Sequence, residues 1–234
     1  MKNSFTLFCT IFGAIIFAVQ GTAQAYSQLE NDQQPLPNRL ISISTHEGSE
    51  RLKNSEALAD YQNLAASYKA QNQRSYCGVA SSVSVLGSLG IKTNQDNFFT
   101  TAASQVRTQN EVMSGGMTLD DLADLLETYG AKVSVNHAEE FNIDQFRKTL
   151  ESNLATKNNY LIVNYQRQVL GQGRVGHISP VSAYDRESDS VLIMDTAAHK
   201  YPHTWVPVKM LFDAMKTIDS DSGLMRGFVE VSNN

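Results

Sequence analysis

The sequence predicts an α+β fold in which a helical half packs on an antiparallel β-sheet. In the first two-thirds of the chain, apolar residues recur at helical spacing. The last third breaks into short runs rich in β-branched and aromatic residues. Helices first and strands later favour two packed layers over alternating βαβ units. A length of 234 residues is enough for one domain with a sizeable core.

The first 25 residues stand apart. Lys2 gives a positive start, residues 5–19 are apolar but short for a membrane span, and Ala23-Gln24-Ala25 places small residues where a signal peptidase reads. Residues 1–25 are therefore read as a cleaved secretory signal and residues 26–234 as the exported domain. Residues 26–38 are polar, contain two prolines and read as an extended lead-in strap. Residues 55–69 carry Leu58, Tyr61, Leu64, Ala65 and Tyr68 at spacings that suit one helical face.

A second helix is predicted over 77–89, with Val79, Val83 and Leu86 on one face and Gly90 as its stop. Its serines are weak helix formers, so packing must hold it. Thr118 caps a third helix with acids in its first turn, and Leu119, Leu122, Leu125 and Leu126 face the core. A fourth amphipathic helix spans 143–154. Residues 160–165, 178–184, 190–194 and 227–231 read as strands.

Composition narrows the function. With 41% hydrophobic and 18% charged residues the chain is neither disordered nor fibrous. A net charge of -5 without Lys/Arg runs argues against nucleic acid as a partner. Of two cysteines, Cys9 leaves with the signal, so the exported domain keeps only Cys77. A lone thiol outside the cytoplasm suggests a reactive cysteine or intermolecular pairing.

Cys77 stands at a predicted helix start, where unpaired N–H groups and the positive dipole end favour a thiolate, the form that attacks a carbonyl. Gln71, six residues upstream, can join the backbone N–H of Cys77 as an oxyanion donor, with Gln73 as an alternative. Residues 185–189 are turn-like. A hairpin centred on Glu187 sets Ser179 opposite Asp195 and puts His177 on the same face, within reach of that carboxylate. A nucleophile, a base and an orienting acid are what acyl transfer requires. The chain order Cys, His, Asp is that of papain-like enzymes, with Asp in place of the usual Asn.

The histidine pair His199 and His203 does not make a metal site, because Pro202 breaks the helix that their spacing would need. His46 and His137 read as surface or packing residues. Ser81-Ser82-Val83-Ser84 lacks the flanking glycines of a serine-nucleophile elbow.

Several segments together are similar to the phytochelatin synthase catalytic domain. They are Gln71 with Tyr76-Cys77-Gly78-Val79-Ala80-Ser81-Ser82, Asp96-Asn97-Phe98-Phe99, Met117-Thr118-Leu119-Asp120, Gly176-His177-Ile178-Ser179-Pro180, Leu192-Ile193-Met194-Asp195, Lys200-Tyr201-Pro202 with Trp205-Val206, and Arg226-Gly227-Phe228. The resemblance runs from about Pro35 to Ser232. It implies a papain-like cysteine proteinase fold and glutathione as substrate. Cys77 would attack the Cys–Gly amide, glycine would leave, and a γ-glutamylcysteinyl thioester would pass to water or to a second glutathione.

By position the resemblance assigns Cys77 as nucleophile, His177 as base and acid, Asp195 as orienter and Gln71 as oxyanion donor. It assigns Asp219 and Arg226 to the γ-glutamyl end, a pairing suited to an α-ammonium and an α-carboxylate. Asn164 and Gly176 line the acyl site. No cofactor is required; heavy-metal ions such as cadmium enter as activators or as metal–glutathione thiolates. The resemblance allows a homodimer, and no stable membrane association is expected after signal cleavage. Plant and yeast relatives add a Cys-rich C-terminal region linked to metal activation, which this chain does not carry beyond Asn234. Hydrolysis with minor transpeptidation is therefore expected. The competing readings are a general secreted peptidase and a non-catalytic binder of glutathione or its metal thiolates.

Overall fold

The computed structural model describes residues 33–233. The predicted signal lies outside them. Eight α-helices and seven strands are formed among the described residues. The helices are α1 (His46–Asn54), α2 (Tyr61–Ser67), α3 (Cys77–Ser88), α4 (Ala103–Val106), α5 (Gln109–Gly115), α6 (Leu119–Glu127), α7 (Ile143–Leu154) and α8 (Val208–Met215). The strands are β1 (Ile41–Ser42), β2 (Ala131–His137), β3 (Asn159–Gln166), β4 (Gly176–Asp185), β5 (Ser190–Ile193), β6 (Thr204–Pro207) and β7 (Gly227–Asn233). They form one sheet of order β1-β6-β5-β4-β3-β7-β2, with every neighbouring pair antiparallel. The predicted α+β class and antiparallel sheet are present.

Alternation along the strands divides the core. Tyr160, Ile162, Ile178, Val229 and Val231 pack with α3 and α6 on one side. Leu161, Val163, Tyr165, Val181, Val191 and Ile193 pack with Phe146 and Leu150 of α7 and with Leu211, Phe212 and Met215 of α8 on the other. The sheet therefore has helices on both faces, where the sequence reading placed a helical half on one.

The helix predicted over 55–69 is shorter than expected. Ser55 already ends α1, and Ala57 makes a bridge to Tyr184. This draws the backbone to the sheet before α2 can start at Tyr61. Leu64 is still buried, so the periodicity reported the burial correctly but not the helix length. Of the lead-in strap only residues 33–38 are described, and there the backbone N–H of Gln34 donates to the carbonyl of Lys200 in the turn after β5.

α3 is buried on all sides from Gly78 to Leu86 rather than along one stripe. Three of its serines, Ser81, Ser84 and Ser88, bond carbonyls one turn back within the helix, while Ser82 Oγ has no hydrogen-bond partner among the described residues. Ser81 Oγ donates to the Cys77 carbonyl (2.7 Å) and Ser84 Oγ to the Ala80 carbonyl (2.7 Å). Ser81 Oγ also reaches the carbonyl of Ile178 (3.2 Å), fixing α3 against β4. Buried hydroxyls satisfied in this way cost little, and the helix becomes a central rod carrying Cys77 at its end.

Candidate active site

Four helices begin with a side-chain cap: Thr45, Thr108, Thr118 and Asn142 each accept from a backbone N–H of the first turn. α3 differs, because Tyr76 contributes no side-chain cap. The first turn of α3 is thus open beside the Cys77 thiol, and the backbone of Gly78 and of Ile178 favours its ionised form. Gly78 also allows a close approach: a Cβ there would lie 2.4 Å from Met117 Sδ.

His177 near the start of β4 and Asp195 just after β5 meet through an irregularity in the hairpin. Near the turn, Asp185 faces Ser190 and Ala183 faces Leu192. Continued unchanged, that register would place Asp195 across from Pro180, on the face opposite to His177. Between Val181 and Ala183 the register shifts by one residue, so that Val181 faces Ile193. The bulge at Ser182 carries Asp195 onto the face of Tyr165, His177 and Val181. His177 Nε2 then lies 2.9 Å from Asp195 Oδ1. The other ring nitrogen remains for the hydrogen bond between His177 and Cys77.

The electrostatics follow from this packing. Burial resists ionisation of Cys77, but the hydrogen bond and charge of His177, with the backbone donors, pull the thiol below its ordinary value. Burial resists protonation of His177, yet Asp195 holds its pKa above the usual imidazole value. Burial likewise opposes the Asp195 charge, and His177 and Arg167 overcome it, keeping the carboxyl well below the usual carboxylate range. These directions favour a thiolate facing an imidazolium.

Six of the eight residues singled out from the sequence line one cleft of about 330 Å³: Cys77, Asn164, Gly176, His177, Asp219 and Arg226. Arg226 is 5% exposed, and its Nη1 donates to the carbonyl of Ile218 (2.5 Å) and to Thr217 Oγ1 (3.2 Å). Its Nη2 lies 3.6 Å from Asp219 Oδ2, and among the described residues its buried Nε has no hydrogen-bond partner. Asn164 Nδ2 donates to the same Asp219 oxygen at 3.4 Å. Gly176 permits this arrangement, since a Cβ there would lie 3.1 Å from Nη2 and 3.4 Å from Nε. One edge of the guanidinium is anchored by the loop, while the other faces the cleft beside a carboxylate.

The other two residues do not line the cleft. Asp195 stands behind His177. Gln71 sits in the loop before α3, where its Nε2 donates to the carbonyls of Gln73 (2.9 Å) and Arg74 (2.8 Å). Its Oε1 accepts from Thr196 Oγ1 at 3.5 Å, and its backbone N–H donates to the Thr196 carbonyl. Gln73 contributes only a carbonyl to this knot.

Sequence reasoning missed Arg167. It opens a 3₁₀ turn after β3, is 2% exposed, and donates from Nη2 to Asp195 Oδ1 at 2.7 Å. Nothing in the pattern around an isolated arginine announces burial, and the defining contact comes from a segment 28 residues away.

A family model described as phytochelatin synthase matches residues 31–228. Over 175 residues the chain is 35% identical to glutathione gamma-glutamylcysteinyltransferase 2 of Arabidopsis thaliana, covering 72% of this chain and 39% of that protein. Over 220 residues it is 26% identical to the glutathione gamma-glutamylcysteinyltransferase of Schizosaccharomyces pombe, covering 88% and 52%. The chain thus spans about half the length, or less, of these curated relatives. Among solved structures, a double glycine motif protease from an AMS/PCAT transporter aligns over 70% of this chain and 89% of its own, at 14% identity and a TM-score of 0.41.

Proposed function

We propose, on the premise that the chain belongs to the phytochelatin synthase family, that it cleaves the Cys–Gly amide of glutathione through a thioester on Cys77. The observation that carries this reading is the Arg226 and Asp219 pair in the same cleft as Cys77 and His177. A buried guanidinium with an unpartnered Nε fits a carboxylate, and the adjacent Asp219 fits an ammonium. Together they match the free α-amino acid end of a γ-glutamyl group, which ordinary peptide chains do not present.

Each step assigns protons to residues already placed. Cys77 Sγ attacks the amide carbon, and the backbone N–H of Cys77 with Gln71 Nε2 stabilises the oxyanion. Gln71 can take this role by exchanging one of its two loop carbonyls for the oxyanion. As the C–N bond breaks, His177 gives its proton to the glycine nitrogen. The γ-glutamylcysteinyl thioester remains. His177, now neutral, removes a proton from the incoming water or from the α-amine of a second glutathione, and the product acid or amide leaves as Cys77 returns to thiolate. Water gives γ-glutamylcysteine, while a second glutathione gives phytochelatin. Heavy-metal ions enter as the metal–glutathione thiolate, a form of the substrate.

Export is part of the same proposal. It is supported by Lys2, the apolar residues 5–19 and Ala23-Gln24-Ala25. No helix among the described residues is long and apolar enough to cross a membrane. N-terminal sequencing of the protein recovered outside the cytoplasm should begin at Tyr26; a start at Met1 contradicts cleavage.

Substrate recognition is tested by comparing glutathione with its N-acetyl derivative and with an unrelated tripeptide ending in Cys-Gly. Glutathione should be turned over at least about 100-fold faster, as expected when a site's buried polar groups are left unpaired by the alternative. Equal turnover of all three would assign the chain to general peptidases. Tight glutathione binding with no glycine release would assign it to binding proteins.

A further inference from the structure

We propose that Arg167 is a positioning residue of the reaction, which shares the Asp195 carboxylate with His177 and offsets its charge. The inference rests on the reading of Cys77 as nucleophile. It starts from one oxygen atom. Asp195 Oδ1 accepts from Arg167 Nη2 (2.7 Å), His177 Nε2 (2.9 Å) and the backbone N–H of Ala197 (2.9 Å). Three donors on one oxygen leave the carboxylate little freedom to turn, so the imidazole that it holds is fixed as well.

Arg167 is itself fixed. Nη1 donates to Gln172 Oε1 (2.5 Å), and the guanidinium lies 5.0 Å from the ring centroid of Tyr201 and 6.0 Å from that of Tyr165. Such a setting is poorly suited to Lys, whose ammonium cannot form a planar fork.

The need for Arg167 comes from the acid. A neutral amide in place of Asp195 would orient the imidazole without adding charge. A carboxylate adds a full negative charge to a buried site that must also hold a thiolate and an imidazolium. With Cys77, His177 and Asp195 alone the reactive state carries a net negative charge; with Arg167 the four groups sum to zero. Arg167 therefore opposes the protonation of His177 that Asp195 favours, and favours the thiolate that Asp195 disfavours.

The other ionisable groups around His177 do not compete for this role. Tyr165 packs its ring edge-on to the imidazole, and the Tyr68 hydroxyl donates to the Asp195 carbonyl (2.6 Å). Burial raises the pKa of both phenols, so they stay neutral. His199 and His203 feel the Asp195 charge, but burial holds both below the usual imidazole value, which disfavours their charged forms. The Tyr201 hydroxyl is engaged by Gln34.

The test measures alkylation of Cys77 by iodoacetamide across pH, a readout that needs no glutathione. The rate should rise as the thiolate–imidazolium pair forms and change again as His177 loses its proton. Arg167→Gln should move both steps to higher pH by on the order of one unit. Asp195→Asn should move both to lower pH. The double variant should return close to wild type, because the two removed charges cancel. Arg167→Lys should restore the wild-type window while glycine release stays reduced. If Arg167→Gln does not fold, the double variant and Arg167→Lys carry the comparison.

Steps that ignore Arg167, or single and double variants that all shift in one direction, would overturn the inference. If wild-type Cys77 shows no enhanced reactivity at neutral pH, the nucleophile reading itself fails, a result distinct from failure of the Arg167 role.

Discussion

His177 Nε2 lies 2.9 Å from Asp195 Oδ1, although the hairpin joining their strands sets out in a register that would separate them. The bulge at Ser182 takes up the extra residue and makes the contact possible. Deleting Ser182 should make the pairs Val181–Ile193 and Ala183–Leu192 consecutive in a regular ladder, keep Asp195 on the face of His177 and retain glycine release. Far-UV circular dichroism should show that the sheet persists. Loss of glycine release in a deletion variant whose sheet persists would contradict this account of the register.

The Asp195 carboxyl also makes folding pH-dependent. Its pKa in the folded protein is held below the ordinary carboxyl value of 3.8, so its contribution to stability is fully present above that value. It is lost as pH falls through the folded value. The urea midpoint should therefore decline below about pH 4, and decline less steeply in Asp195→Asn. Asp195→Ala should lose about 3–5 kcal/mol at neutral pH, because Arg167 is left buried without its acceptor. Equal acid sensitivity in wild type and Asp195→Asn would contradict the assignment.

Gly176 bears on binding rather than on chemistry. A methyl group there would press on the Nη2 and Nε edge of Arg226. Gly176→Ala should raise KM for glutathione about 10-fold, with kcat falling less. Steady-state kinetics separate the two, and an unchanged KM would show that this edge of Arg226 does not meet the substrate.

Gln71→Ala should lower kcat about 10²-fold if its amide meets the oxyanion. It should also cost about 1 kcal/mol of stability through the lost contacts to the carbonyls of Gln73 and Arg74. A change in thermal stability with no change in kcat would confine Gln71 to holding the loop.

Much of this arrangement was legible in the sequence where local pattern and tertiary packing agree. The helix at 143–154 and the Thr118-capped helix carry caps and apolar spacing that specify them directly. The strand at Ala131–His137 went unread, although Ala131, Val133, Val135 and His137 alternate, and buried His137 bonds Asp120 and the Met225 carbonyl. α1 escaped because it is polar and contains Gly48, which is buried where the indole N–H of Trp205 donates to its carbonyl. α8 escaped because its apolar residues follow a strand without a capping side chain. At the site, the Cys77, His177 and Asp195 relation could be argued from spacing, but the bulge that delivers it could not. Asp219 and Arg226 were found only through family resemblance. Arg167 had no local signal at all, because burying it depends on Asp195, Tyr201 and Gln172 arriving from elsewhere in the chain.

The most direct test is to mix residues 26–234 with glutathione, quench in acid within one turnover, and weigh the intact protein by mass spectrometry. The account predicts a mass increase of one γ-glutamylcysteinyl group, located on Cys77 by peptide mapping, released by hydroxylamine as a thioester, accompanied by one equivalent of glycine, and absent in Cys77→Ser. Glycine release without any adduct on Cys77, or release that persists in Cys77→Ser, would contradict it.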